Sequence, residues 1–226
     1  MKTYPMFAII VGRPCLVVGG GTVGERKVRD LLEAGARVTV VSRELTPTLA
    51  ELADRGEIRS LKGDFAPEYL AGMTLVVGAT DDPEVNTQVS RAAQAAGILV
   101  NIVDQPELCT FIVPARVSRG ELTIAVSTGV ASPALARRVR EDLEEQFGPE
   151  YEPYLHLLKA IRERVLASRR GHPDNAELFH RLVKSPLKEA VARGDRQELV
   201  QILAEVLTPV LDEAELTHLA SQVLKS

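Results

Sequence analysis

The stretch LVVGGGTVGERK, Leu16 to Lys27, decides the fold, because an apolar run passes straight into glycines at Gly19, Gly21 and Gly24 and then into a helical pattern. G-x-G-x-x-G between a strand and a helix is the context in which the spacing reads as a dinucleotide-binding turn. Each glycine answers a steric demand. Gly19 permits a tight turn off the strand, Gly21 lets the backbone approach a pyrophosphate, and Gly24 lets the helix lie close to the strand. The phosphates then fall at a helix N-terminus, where free N–H groups and the helix dipole favour an anion by roughly 0.3–1 kcal/mol at an exposed site.

Outward from this turn, strand and helix patterns alternate, as a parallel α/β sheet requires. The first helix, Thr22 to Ala34, places Val23, Val28, Leu31 and Leu32 on one face and stops at Gly35. RVTVVS, Arg37 to Ser42, is a β-branched strand. Thr46 then caps a helix with Pro47 at its first position, and the same pairing recurs at Asp82-Pro83, Ser132-Pro133 and Ser185-Pro186. TLVVGAT, Thr74 to Thr80, and ILVNIVD, Ile98 to Asp104, are apolar runs of the kind covered by helices on both faces. After Asp104 the pattern changes. FIVPARV and ELTIAVST, Phe111 to Val117 and Glu121 to Thr128, flank Ser118-Arg119-Gly120 as a hairpin would, and a second module is expected from near Pro114. A helix from Ser132 to Phe147 follows. Beyond Gly148-Pro149 the chain is helical to Lys225, with breaks near Gly171-His172-Pro173, Ser185-Pro186, Gly194 and Pro209.

With 226 residues, 45% of them hydrophobic and 26% charged, the chain can bury a core in one larger and one smaller domain. A net charge of −4 argues against a general nucleic-acid or anionic-membrane binder. Cys15 and Cys109 have no C-x-x-C or Cys/His company, so reduced thiols in the cytoplasm are expected rather than a disulfide or a zinc site. The apolar run Met6 to Val11 is too short for a signal peptide's core or a membrane span.

A carboxylate usually ends the second strand of an NAD-binding unit, where it holds the ribose hydroxyls. Ser42 stands there, followed by Arg43 and Glu44. Arg43 suits the 2′-phosphate of NADP, while Ser42 or Glu44 suits a plain ribose, and the residues alone leave both open.

Three stretches resemble the precorrin-2 dehydrogenase and sirohydrochlorin ferrochelatase family: VVGGGTVGERKV (Val17 to Val28), GATDDPEVN (Gly78 to Asn86) and NIVDQPELCTFIVPARVSRGELTIAVSTGVASPALAR (Asn101 to Arg137). The third is the most specific, since it carries a V-D-x-P loop into a hairpin and then into S-T-G-x-x-S-P-x-L-A-R. The resemblance implies a Rossmann-type domain over residues 1–113, a hairpin-plus-helix dimerisation module over 114–148 and a small helical domain over 149–226, assembled as a homodimer. It implies that precorrin-2 is oxidised to sirohydrochlorin with NAD⁺ as hydride acceptor. For many members it also implies insertion of Fe²⁺, as substrate, to give sirohaem. A separate enzyme is expected to supply precorrin-2. Asp104 falls on the family's catalytic aspartate. Gly19, Gly21, Thr22, Val23, Gly24, Ser42, Arg43, Glu44 and Thr80 are the expected cofactor contacts. Thr128 falls where some bacterial members carry a serine that becomes phosphorylated, and it is placed with the substrate contacts.

The chemistry of the residues agrees. Asp104 ends an apolar strand at the carboxyl edge of the sheet, where a carboxylate can accept the proton released as hydride leaves; loop capping before Gln105-Pro106 is the plain alternative. A polycarboxylate substrate calls for guanidinium groups, and Arg116 and Arg119 flank the hairpin. Arg137 and Arg138 stand four residues before Glu141 and Asp142, as surface helix pairs do. His156, His172, His180 and His218 show no ligand spacing, and Asp82 is better explained as a cap than as a metal ligand. The first domain contains no His, which counts against a dehydrogenase using a histidine acid/base. A non-catalytic NAD(H)-sensing module is the rival reading.

Overall fold

The computed structural model describes residues 2–169, 171–208 and 210–223. The chain divides into two compact units, Met1–Val113 and Pro114–Ser226.

The first unit is built on five parallel strands: β1 (Pro14–Val18), β2 (Arg37–Ser42), β3 (Arg59–Lys62), β4 (Leu75–Gly78) and β5 (Leu99–Ile102), in the order β3-β2-β1-β4-β5. The order reverses between β1 and β4, which makes the carboxyl ends of these two strands the place where an open α/β sheet takes its ligand. Register levels those ends, with Val18 opposite both Val41 and Gly78. Alternation along β1 sends Cys15 and Val17 to one face, among Val28 and Leu31 of α1 (Thr22–Glu33) and Leu49 and Leu52 of α2 (Pro47–Asp54). Leu16 and Val18 point to the other face, among Leu70, Phe65 and Val89 and Ala93 of α3 (Pro83–Ala95). Each fully buried aliphatic side chain contributes about 1.5–3 kcal/mol.

Cys15 is wholly buried on β1, and burial pushes its thiol from 9.0 up to about 11. The neutral form is therefore favoured in the fold. The stability this contributes is complete below pH 9.0 and is lost as pH rises toward about 11. Thermal melts across that window should show a falling midpoint that is less steep in Cys15→Val; identical slopes would refute the assignment.

The sheet's two borders are closed differently. β3, RSLK, is short and exposed at Arg59, Ser60 and Lys62, with no apolar alternation that would announce a strand, and the sequence reading missed it. Along β5 the chain returns: Thr110 N–H donates to the Val100 carbonyl at 2.8 Å, and Val100 N–H donates to Thr110 Oγ1 at 2.8 Å. Phe111 joins the first unit's core here, so the expectation that it opens the hairpin is corrected.

The second unit begins with an antiparallel hairpin, β6 (Ala115–Arg119) and β7 (Leu122–Val126). Arg119 pairs with Leu122, so the turn is Gly120-Glu121 rather than Ser118-Arg119-Gly120. Gly120 takes φ +57 at the first central position, which a type II′ turn gives to glycine. Helices α4 (Pro133–Gln146) and α5 (Tyr151–Arg169) lie against the hairpin. α6 (Asn175–Lys184), α7 (Leu187–Arg193), α8 (Arg196–Leu207) and α9 (Glu213–Val223) pack with α5 around Leu157, Ile161, Leu182, Leu199, Leu203 and Leu219. The proline-linked caps hold at Thr46, Asp82 and Ser132, whose side chains accept N–H bonds from their own helices. Ser185 does not cap forward. It closes α6, its hydroxyl donating to the Leu182 carbonyl at 2.7 Å. The break expected at Pro209 and the end at Lys225 lie outside the described residues.

Candidate active site

The glycine turn is cleared by contacts that only glycine tolerates. A Cβ on Gly19, at φ +115, would sit 2.3 Å from the Ala79 carbonyl oxygen, and one on Gly24 would sit 2.1 Å from that of Gly19. The first pins the turn to the end of β4; the second draws α1 onto β1. Gly21 differs, because a Cβ there meets nothing within 4 Å. Gly21 is also exposed and forms the N-cap of α1 without a side-chain cap. Thr22 and Val23 open the helix exposed to solvent; Val23 is 40% exposed and so departs from the core face expected of it. Uncapped N–H groups over cleared space fit the pyrophosphate of a dinucleotide.

Gly20, which the fingerprint leaves unspecified, is held at both ends. Its N–H donates to Ser42 Oγ at 3.0 Å, and its carbonyl accepts from Thr46 N–H at 2.9 Å. Thr46 also donates its hydroxyl to Glu25 at 2.6 Å, which holds that carboxyl below its usual range with help from Arg29. A Cβ on Gly20 would lie 2.3 Å from the Glu44 carbonyl oxygen. The loop of residues 42–46 and the glycine turn are thus one assembly, with the Ser42 hydroxyl engaged as a strut. Arg43 forms an ion pair with Asp64, a residue the sequence reading did not single out. Glu44 is exposed.

At the end of β4, Thr80 Oγ1 lies 3.0 Å from Asn86 Oδ1, and Asn86 Nδ2 donates to the Thr80 carbonyl at 3.0 Å. Asn86 is only 3% exposed and fixes the loop that carries Thr80. It stands within the GATDDPEVN stretch, whose carboxamide was the available signal.

Asp104 follows β5 on the same edge and is exposed. Its backbone is left-handed at φ +60, a conformation costing about 1–3 kcal/mol outside glycine and most tolerable to Asp and Asn. The surroundings enforce it. Val103 N–H donates to the Gly78 carbonyl at 2.9 Å, Cys109 Sγ accepts from Ile102 N–H at 3.1 Å, and the buried Ser90 donates to the Leu108 carbonyl at 2.6 Å. Burial raises the Cys109 thiol above its ordinary value, so it serves as a neutral hydrogen-bonding group rather than a nucleophile.

In the second unit, Thr128 Oγ1 donates to the Ser132 carbonyl at 3.0 Å and accepts from Ser132 N–H at 3.1 Å, closing the loop before α4. Arg119 donates to the carbonyls of Phe147 at 2.9 Å, Ser118 at 2.9 Å and Glu144 at 3.3 Å, so it joins the hairpin to the end of α4. Arg116 is exposed on β6. Arg137 and Arg138 make the expected pairs with Glu141 and Asp142, each at 2.9 Å. Among the described residues no group of three or more His, Cys, Asp or Glu could hold a metal ion, and no helix is long and apolar enough to cross a membrane.

A family model described as putative NAD(P)-binding matches residues 6–115, and one described as sirohaem biosynthesis protein central matches residues 119–146. The sirohaem synthase of Methylobacillus flagellatus is 43% identical over 208 residues, which are 92% of this chain and 44% of that protein. That of Chromobacterium violaceum is 42% identical over 195 residues, 86% of this chain and 42% of that protein. The chain thus spans less than half the length of these relatives. A solved structure of SirC, a precorrin-2 dehydrogenase, superposes with a TM-score of 0.71 at 25% identity, covering 99% of this chain and 100% of that one. With a relative 43% identical over 92% of its length, and the sirohaem family model matched within it, the chain belongs to the precorrin-2 dehydrogenase and sirohydrochlorin ferrochelatase family.

Proposed function

We propose that this chain oxidises precorrin-2 to sirohydrochlorin in sirohaem biosynthesis, with NAD⁺ held at the glycine turn. One observation carries the reading: the likeness to a precorrin-2 dehydrogenase extends over the whole of both chains, and the turn it includes fits a dinucleotide. Bound NAD⁺ supplies the hydride acceptor. The uncapped start of α1 binds its pyrophosphate beside Gly21, and the 42–46 loop meets the adenosine ribose. Thr80, fixed by Asn86, lines the β4 side of the crevice. Asp104 is the general base that takes a proton as hydride leaves the tetrapyrrole. The same carboxylate can accept pyrrole N–H protons if Fe²⁺, a substrate, is inserted in a second step.

Arg116 is proposed as a contact for the substrate's carboxylates, with Arg119 and Thr128 shaping the module that presents it. The hairpin and α4 form the dimerisation module of a homodimer, followed by the helical domain from residue 149. Two free thiols suit the cytoplasm.

The test is direct. Precorrin-2 is supplied with NAD⁺ or NADP⁺ while reduced nucleotide and sirohydrochlorin absorbance are followed, and Fe²⁺ is then added. Turnover is expected with NAD⁺. No turnover with either nucleotide would leave the NAD(H)-sensing alternative, and an iron step no faster than the uncatalysed one would remove chelation.

A further inference from the structure

Arg43 and Asp64 reach each other from the ends of the neighbouring strands β2 and β3, on the edge that carries the glycine turn. The fork is bidentate: Nε lies 2.5 Å from Oδ1 and Nη2 3.0 Å from Oδ2. Their side chains are 79% and 68% exposed, so an incoming ligand can compete for either. The hydrogen bond and the charge of Asp64 raise Arg43 above its ordinary value, and Asp82 adds a smaller contribution of the same sign. Glu44, next in sequence, is a further exposed carboxylate. The residues on both sides of Arg43 are anchored to Gly20, through the Ser42 hydroxyl and the Thr46 amide, so its backbone is fixed at this corner.

We propose that Asp64 sets the choice between NAD and NADP, by occupying the fork of Arg43 and so withholding it from a 2′-phosphate. This rests on the reading of the glycine turn as the dinucleotide site. The residue type that would favour NADP is present at the end of the second strand, yet its donors already serve a carboxylate. A 2′-phosphate would have to displace the Asp64 carboxylate from the fork, whereas a ribose hydroxyl leaves the pair intact.

Fluorescence titrations of the full chain with NADH and NADPH test this without any turnover. The wild type is expected to bind NADH more tightly. Asp64→Asn should shift the ratio of the two dissociation constants toward NADPH by about tenfold, the worth of one charge-assisted hydrogen bond. Asp64→Ser, which cannot engage the fork, should shift it in the same direction and guards against a folding defect in the first variant. Adding Arg43→Gln to Asp64→Asn should return the ratio toward the wild-type value. An unmoved ratio in both single variants, with NADH still bound, overturns the role of Asp64 alone, as does a shift that survives Arg43→Gln. Failure of the wild type to bind either nucleotide overturns the dinucleotide site as well.

Discussion

Asp104→Asn is expected to slow oxidation of precorrin-2 by NAD⁺ by about 10²–10⁴-fold, the range for removing a positioned acid–base group. The substitution is nearly isosteric, and Asn tolerates the left-handed backbone at least as well as Asp, so the thermal midpoint should be unchanged. Asp104→Gly separates the two roles of this position more sharply. Glycine adopts φ +60 without steric cost, so this variant should be no less stable than the wild type and equally inactive. A variant that keeps the fold but loses turnover would assign the role to the side chain rather than to the backbone of this position. Steady-state turnover beside a melting curve decides the matter. Full activity in Asp104→Asn would restore loop capping as the explanation of this residue.

The second large effect is a contrast between two glycines of one motif. Gly19→Ala adds a Cβ 2.3 Å from the Ala79 carbonyl oxygen at a backbone φ of +115, so strain and a displaced strand end act together. A loss of about 3 kcal/mol or more is expected, near 10 °C in the midpoint. Gly21→Val should behave in the opposite way. Its φ of −80 suits any residue and its Cβ direction is empty, so the fold is retained. Two methyl groups would then stand where the pyrophosphate approaches, and NADH affinity should fall by about 10–100-fold as charge-assisted bonds to it are lost. Equal loss of stability in both variants would contradict this division of labour.

The sequence disclosed most where the signal is local. The glycine turn, the β-branched strands and the caps at Thr46, Asp82 and Ser132 each depend on residues a few positions apart. Ser185-Pro186 shows the limit of such signals. The dipeptide resembles the other three, but a hydroxyl can serve the helix behind it as readily as the one ahead, and here it serves α6. Asp64 had no local mark at all. It lies two residues beyond a polar edge strand that lacks a hydrophobic period, and its partner is 21 residues away. Gly20 was hidden for another reason, because its demands come from Glu44 and Ser42, which only the paired strands bring beside it. Asp104 was legible as a carboxylate at the end of a strand, but its left-handed backbone belongs to the packing of Cys109, Ser90 and Gly78 around the turn.

The return of the chain along β5 has a consequence for how this protein meets others. Thr110 satisfies Val100, and the Cys109 thiol accepts from the Ile102 amide at 3.1 Å and lies 3.3 Å from its carbonyl oxygen. Two side chains and the Thr110 backbone amide thus do for the outer margin of the sheet what a sixth strand would do. At the opposite margin the exposed strand is four residues long and carries Arg59 and Lys62. A foreign polypeptide finds no long run of vacant amides on these two margins on which to template itself, so strand invasion and fibrillar stacking are resisted.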